Sequence, residues 1–188
     1  TQEYDCLVGD LPWVAGMRSD ADIPPPVPLV VDAERVGVLR KQLSAFGPPP
    51  YLGVTWQGGR EKKPGQKDAW RMLHKEISPA ELAELARDWP GTVVVMQRAP
   101  KPADLELFAE TLGRPWLDWS ALNDSLPEVL AGLSLLDEYV GVSNTNMHLL
   151  AGIGKTARVL VPHPADWRWM VEGDESPWFP GFAVYRQT

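Results

Sequence analysis

A single cysteine, Cys6, excludes an intramolecular disulfide and suits a reducing compartment. No apolar run reaches the roughly 18 residues that a membrane helix needs, and nothing resembles a signal peptide, so we expect a cytoplasmic chain without a membrane span. Basic charge is also short. Lysine and arginine number 18 against 25 acidic residues, and a net charge of −7 counts against a general nucleic-acid binder. The histidines, His74, His148 and His163, have no ligand spacing and no cysteine partners, so no metal site is expected. No Gly-x-Ser-x-Gly elbow occurs and Cys6 falls outside the regular pattern, which disfavours a hydrolase. There is no internal repeat.

What is present is a hydrophobic content of 44% with 23% charged residues, as in globular proteins, over 188 residues. That length suits one well-buried core, or one domain with an extra arm. Nine tryptophans and 19 prolines point to many turns and to large aromatic surfaces, some of which could meet a missing partner domain. The chain opens Thr1-Gln2-Glu3 without methionine, and the expectation is a piece of a longer protein.

In chain order, Tyr4 to Pro12 reads as a brief strand or extended arm and Pro24-Pro25-Pro26-Val27-Pro28 as a polyproline linker. Asp32 to Phe46 has helical spacing, with Val36, Leu39 and Leu43 on one face, and Gly47-Pro48-Pro49-Pro50 ends it. From residue 51 strands and helices alternate. Tyr51 to Trp56 reads as a strand. Ser78-Pro79-Ala80-Glu81 opens a helix with a capping box, whose buried face holds Leu82 and Leu85. Thr92 to Gln97 is a buried strand, Pro102 to Leu112 a helix, Trp116 to Trp119 a short strand and Ser125 to Leu136 a helix. Glu138 to Val142 and Ala157 to Pro162 are strands on either side of a helix over Asn146 to Ile153. A tryptophan-rich helical turn, Asp166 to Met170, and a last strand, Phe182 to Arg186, follow. Strands separated by helices at such intervals cannot be hairpins. The fold class is therefore α/β: a Rossmann-like, doubly wound, mostly parallel sheet, covered on both faces, with an extended N-terminal arm.

Ligands of such sheets bind at the carboxyl ends of the strands, where strand order reverses. With the order 3-2-1-4-5, that point lies between Tyr51–Trp56 and Glu138–Val142. Two segments meet there. The first is Ser143-Asn144-Thr145-Asn146, where Asn144 or Thr145 would cap a helix whose first N–H groups and positive dipole end suit an anion such as phosphate. Read alone, this is equally a capped helix of any α/β domain. The second runs from Gln57 to Lys75 and holds Arg60, Lys62, Lys63, Lys67, Arg71 and Lys75 against Glu61 and Asp68. A basic loop in an acidic chain, facing a helix N-terminus, is what a diphosphate needs, and Gly58-Gly59 would allow close backbone approach. Two apparent motifs are decoys. Gly154-Lys155-Thr156 lacks the earlier glycine of a phosphate-binding loop and has helix and strand in inverted order, and Asp20-Ala21-Asp22 lies in the proline-rich linker.

Asn144 through Lys155, then Val159-Leu160-Val161-Pro162, Asp166-Trp167-Arg168-Trp169 and Ser176-Pro177-Trp178-Phe179-Pro180, resemble the C-terminal half of GT-B glycosyltransferases. The similarity is greatest to the heptosyltransferase-like group found behind bacterial tetratricopeptide repeats, and more distant to O-GlcNAc transferases. The segments Tyr4-Asp5 to Leu11-Pro12, Pro50-Tyr51-Leu52 and Tyr185-Arg186-Gln187 also fit, so the resemblance spans nearly the whole chain. It implies an arm, linker and helix over residues 1–50 and a nucleotide-sugar-binding domain over 51–188. The diphosphate would meet Asn144, Thr145 and Asn146 after Ser143, with His148 one turn in. Gly58, Gly59 and Arg60 or Lys62 would face it, and Gln97 would lie near the nucleoside. Many relatives carry aspartate then threonine where Ser143 and Asn144 stand, a departure that keeps the helix N-terminus and weakens the case for acid or base work at the turn. Asp166 and Arg168 would hold a surface helix in place, with Trp167 and Trp169 packed, or would face the other domain.

The expectation is the donor-binding half of a metal-independent sugar transferase, taking a nucleotide sugar as substrate and no other cofactor. The acceptor site and general base would lie in a missing N-terminal domain. The alternative is a non-catalytic protein-interaction domain that kept the fold. A different nucleotide-using α/β enzyme, such as an epimerase-like protein, is a third reading.

Overall fold

A computed structural model describes residues 8–58 and 75–187. Cys6, His74 and the basic residues from Arg60 to Arg71, with Gly59, lie outside the described residues.

Of the segment Tyr4 to Pro12, expected as a brief strand or extended arm, residues 4–7 lie outside the described residues, and Val8–Asp10 forms a 3-10 turn that runs into a short helix, α1 (Leu11–Val14). Pro12 explains the difference: its ring presets the dihedral of a first helical turn and leaves no N–H for a sheet. The linker that follows carries no strand, and Leu29 N–H donates to Gly152 O at 2.7 Å. Helix α2 (Ala33–Phe46) begins on Asp32, whose carboxylate accepts from the Glu34 and Arg35 amides. It buries Leu39 and Leu43.

The sheet contains β1 (Tyr51–Thr55), β4 (Thr92–Val95), β5 (Leu117–Asp118), β6 (Glu138–Val142), β7 (Arg158–Val161) and β8 (Ala183–Arg186). Their order is β5-β4-β1-β6-β7-β8, with every neighbouring pair parallel. This is the expected Rossmann-like sheet, with its reversal between β1 and β6. The helices are α3 (Pro79–Ala86), α4 (Pro102–Leu112), α5 (Leu126–Leu135) and α6 (Thr145–Gly152).

Period-two alternation splits the core. Val94, Met96, Tyr139, Val159 and Val161 pack with α2, α5 and α6 and with Trp169, Phe179 and Phe182. Val93, Val95, Leu52, Val54 and Trp56 pack with α3 and α4. This second face is open at β7 and β8, where Arg158 and Tyr185 are exposed, so the sheet is not covered throughout as expected. On α3 the capping box of Ser78 and Glu81 forms, but Leu85 is 67% exposed. The buried face runs through Leu82, Ala83 and Ala86, and at 3.6 residues per turn Leu85 falls outside it.

One element has no signature in the sequence pattern. Gln57–Gly58 (β2) and Lys75–Glu76 (β3) pair antiparallel, so the segment read as a loop is closed at its base by a two-stranded ribbon. Ile77 N–H continues the link by donating to Trp56 O at 2.9 Å.

Candidate functional site

Three elements converge at the carboxyl ends of β1 and β6: the start of α6, the β2–β3 ribbon and a 3-10 turn over Trp167–Trp169. The start of α6 is fixed by a buried polar network. Asn144 is the N-cap, its Oδ1 accepting from Asn146 N at 2.9 Å. Asn144 Nδ2 donates to Thr55 Oγ1 at 2.9 Å, Thr55 Oγ1 shares a hydrogen bond with the Tyr139 hydroxyl at 3.0 Å, and Asn146 Nδ2 donates to that hydroxyl at 2.9 Å. Burial raises the Tyr139 pKa and keeps the phenol neutral. The network needs glycine at 141, because a Cβ there would lie 2.3 Å from Thr55 Oγ1. It also needs glycine at 58, where a Cβ would lie 2.5 Å from Ser143 O. Close approach at Gly58 is therefore to the turn before α6.

The side chains of the candidate residues divide accordingly. Those of Ser143, Asn144, Asn146 and Gln97 are engaged inside the protein. Ser143 Oγ accepts from Trp169 Nε1 at 2.7 Å. Gln97 Oε1 accepts from the Trp56 and Gln57 amides at 3.0 and 2.9 Å, and its Nε2 donates to the Gln57 and Arg98 carbonyls, both at 3.2 Å. Gln97 so splices the exit of β1 to that of β4. Thr145 and His148 are exposed. Gly59, Arg60 and Lys62 lie outside the described residues.

Beside α6 stands a charged cluster, Asp166, Arg168 and Lys75. Asp166 caps the 3-10 turn by accepting from Arg168 N at 3.2 Å. Its carboxylate also accepts from Arg168 Nε at 2.9 Å, from Arg168 Nη2 at 2.5 Å and from Lys75 Nζ at 3.1 Å. Burial opposes ionisation of Asp166, yet these donors outweigh it and hold the carboxyl far below its usual range. Arg168 Nη1 lies 3.1 Å from His148 Nε2. Desolvation, reinforced by the Arg168 charge, lowers the His148 pKa, so the ring is neutral and accepts from Arg168. Trp169 is packed, stacking on Phe179 at 4.4 Å, whereas Trp167 is 48% exposed, edge-on to Trp178 at 4.8 Å. The sequence signal for the cap was Asp166 two residues before Arg168. Its partner Lys75 lies 91 residues away and carried no signal of pairing.

A groove of about 570 Å³ opens at the same end of the sheet, lined by Trp56, Gln57, Ser78, Val142, Pro162 and Tyr185 among others. Among the described residues, none of the candidate site residues lines it. At the start of α6 the Asn146 amide donates to Asn144 Oδ1 and the Met147 amide to Asn144 O, so Thr145, which is exposed, is the residue of the first turn that borders Lys75 and Arg168 on an open surface. Among the described residues no helix is long and apolar enough to cross a membrane.

No protein-family model matches the sequence, and no curated protein matches it significantly. Among solved structures, the glycosyl transferase family 9 protein of Veillonella parvula DSM 2008 is similar in fold, with a TM-score of 0.59 at 12% identity. The match covers 92% of this chain and 45% of that protein, so the chain spans about half the length of its structural relative. At this identity the likeness establishes a glycosyltransferase-like fold.

Proposed function

We propose that this chain is the nucleotide-diphosphate-sugar donor-binding half of a metal-independent GT-B glycosyltransferase. The observation that carries the reading is the meeting, at the β1–β6 reversal, of a preorganised helix N-terminus with Lys75 and Arg168 in a chain of net charge −7. Local positive potential in an acidic protein suits a ligand of concentrated negative charge. In this reading the exposed Thr145 end of α6 receives the diphosphate with Gly58 beside it, and Gly59, Arg60 and Lys62, which lie outside the described residues, are the further candidates that the sequence supplies. Gln97 shapes the nucleoside end through backbone. Ser143, Asn144 and Asn146 act by holding the turn, and His148 lines the approach. Catalysis would consist of stabilising the departing diphosphate by N–H groups and basic side chains, with the acceptor and general base supplied by a further domain.

A thermal-unfolding panel of UDP, GDP and ADP, free and sugar-linked, tests this. One nucleotide should raise the melting temperature selectively, with the rise reduced by Thr145→Ala and Lys62→Ala. The absence of any rise in a sample that melts cooperatively overturns it. One observation favours a second reading, a non-catalytic interaction domain: Trp167 and Val171 are 48% and 84% exposed on the turn beside the site. That reading expects no nucleotide response and loss of partner contact on Trp167→Ala.

A further inference from the structure

The β2–β3 ribbon has two sides. Neighbouring residues of a strand point in opposite directions, and on β3 Lys75 turns to Asp166 beside α6 while Glu76 lines the groove at the carboxyl ends of the strands. Trp56 also lines that groove, yet it is only 2% exposed and stacks on Phe108 of α4 with ring centroids 5.5 Å apart. The Trp56 backbone is fully used, its N–H donating to Gln97 Oε1 and its carbonyl accepting from the Ile77 N–H. The indole is not. Trp56 Nε1 is buried and has no acceptor, whereas the indoles of Trp89 and Trp169 donate to Pro50 O and Ser143 Oγ. Buried donors are nearly always paired in native proteins, so an orphan donor in the wall of a groove marks a place where an acceptor arrives from outside.

The charges around the groove decide what that acceptor belongs to. Three carboxylates line it, Glu76, Glu81 and Asp104, against two cations, Lys101 and Arg186. Arg186 is spent on four backbone carbonyls, those of Trp169, Met170, Glu172 and Gly173. An anion therefore gains little here, and a cation leaves the indole N–H unpaired. One group meets both demands: a hydroxyl accepts from an N–H and donates to a carboxylate. Val142 and Pro162 add apolar wall, and Tyr185, 48% exposed, offers an aromatic face for the C–H groups of a ring. The volume of about 570 Å³ is that of a small-molecule site. We propose that the groove is a second binding site, for an uncharged polyhydroxylated ring of the monosaccharide or disaccharide class, with the Trp56 indole as the donor that fixes its orientation. Among the described residues it shares none with the candidate donor site, and it does not rest on the donor reading.

The test follows the assigned tryptophan indole N–H resonances of the isotopically labelled chain during titration with methyl glycosides of glucose, galactose and mannose, and with maltose and cellobiose. At least one saccharide should move the Trp56 signal downfield and saturably, as a donor moves on gaining an acceptor, while the Trp89 and Trp169 signals stay in place. Trp56→Phe keeps an aromatic ring against Phe108 and should weaken that saccharide by about tenfold, the loss of one hydrogen bond. Asp104→Ala and Tyr185→Ala at the rim should each weaken it severalfold. Should Trp56→Phe fail to fold, those two titrations decide. A Trp56 signal that stays in place with every saccharide, or equal affinity across the variants, overturns the proposal. So does a signal that answers to inorganic phosphate or to free nucleosides and to no saccharide. A nucleoside diphosphate that moves the Trp56 indole and competes with the saccharide makes the groove part of the donor site, which overturns the second site and supports the donor reading. Saccharide binding in a chain that binds no nucleotide supports the second site and overturns the donor reading.

Discussion

Replacing Tyr139 by phenylalanine removes one oxygen atom from a residue that is 1% exposed and leaves the ring in place. The hydroxyl receives Asn146 Nδ2 at 2.9 Å and pairs with Thr55 Oγ1 at 3.0 Å. Without it the Asn146 amide loses that partner at a site 5% exposed, and Thr55 keeps only Asn144 Nδ2. Ring volume is nearly conserved, so the cavity contribution is small. The dominant cost is a buried donor left unpaired, roughly 1–3 kcal/mol. We expect about 2 kcal/mol, which for a chain of this size lowers the melting temperature by about 4–8 °C. Urea unfolding of wild type and Tyr139→Phe should show a lower midpoint with an unchanged slope. Thr55→Val and the double variant complete a cycle, and a shared network predicts coupling of at least about 0.5 kcal/mol. A change of under about 0.5 kcal/mol in Tyr139→Phe, or strict additivity in the cycle, would refute the network as what holds the start of α6.

Two further predictions concern stability. Gly141→Ala would place a methyl group 2.3 Å from Thr55 Oγ1 and 2.6 Å from Thr55 O, a backbone atom. Overpacking there should cost about 1–3 kcal/mol, whereas Gly37→Ala on α2, with nothing within 4 Å, should be neutral or stabilising by up to about 1 kcal/mol. Both are read from urea midpoints. The pH dependence follows from the charged cluster in two windows. The His148 pKa is depressed below 6.5 in the folded chain, so the unfolded chain takes up a proton first and stability falls as pH drops through that value. His148→Gln should flatten the slope of unfolding free energy between about pH 7 and 5, and an unchanged slope contradicts the assignment. Asp166, with its pKa depressed from 3.8, contributes stability above that value that is lost below it, so Asp166→Asn should weaken the dependence only below about pH 4.

Much of the architecture was legible because it rests on local chemistry. The Ser78–Glu81 capping box, the helical spacing from Asp32 and a cap at Asn144 or Thr145 place helix starts within a residue or two. The apolar run Thr92–Val95 marks a strand covered on both faces, and the strand–helix alternation from Tyr51 specifies a parallel sheet. Leu85 misled because a leucine three residues after a buried leucine reads as the same face, while small Ala83 and Ala86 actually meet the core. The β2–β3 ribbon was hidden because its strands are two residues each and separated by 16 residues without an alternating pattern. At the site, the helix N-terminus was legible and the use of its side chains was not. Asn144, Asn146 and Ser143 read as ligand groups because they are polar and precede a helix. Their partners, Thr55, Tyr139 and Trp169, become neighbours only when β1, β6 and the 167–169 turn assemble. The Lys75–Asp166 pair was out of reach for the same reason.

The central claim is that the first turn of α6 receives the diphosphate of a nucleotide. Its most direct test is titration of the isotopically labelled 20.9 kDa chain with the nucleoside diphosphate that raises its melting temperature, followed through assigned backbone amide resonances. The account predicts saturable shifts concentrated at Thr145, Asn146, Met147 and His148, with companion shifts at Lys75 and Arg168. Saturable shifts elsewhere with these amides unmoved, or no shifts with any nucleoside diphosphate, would contradict it.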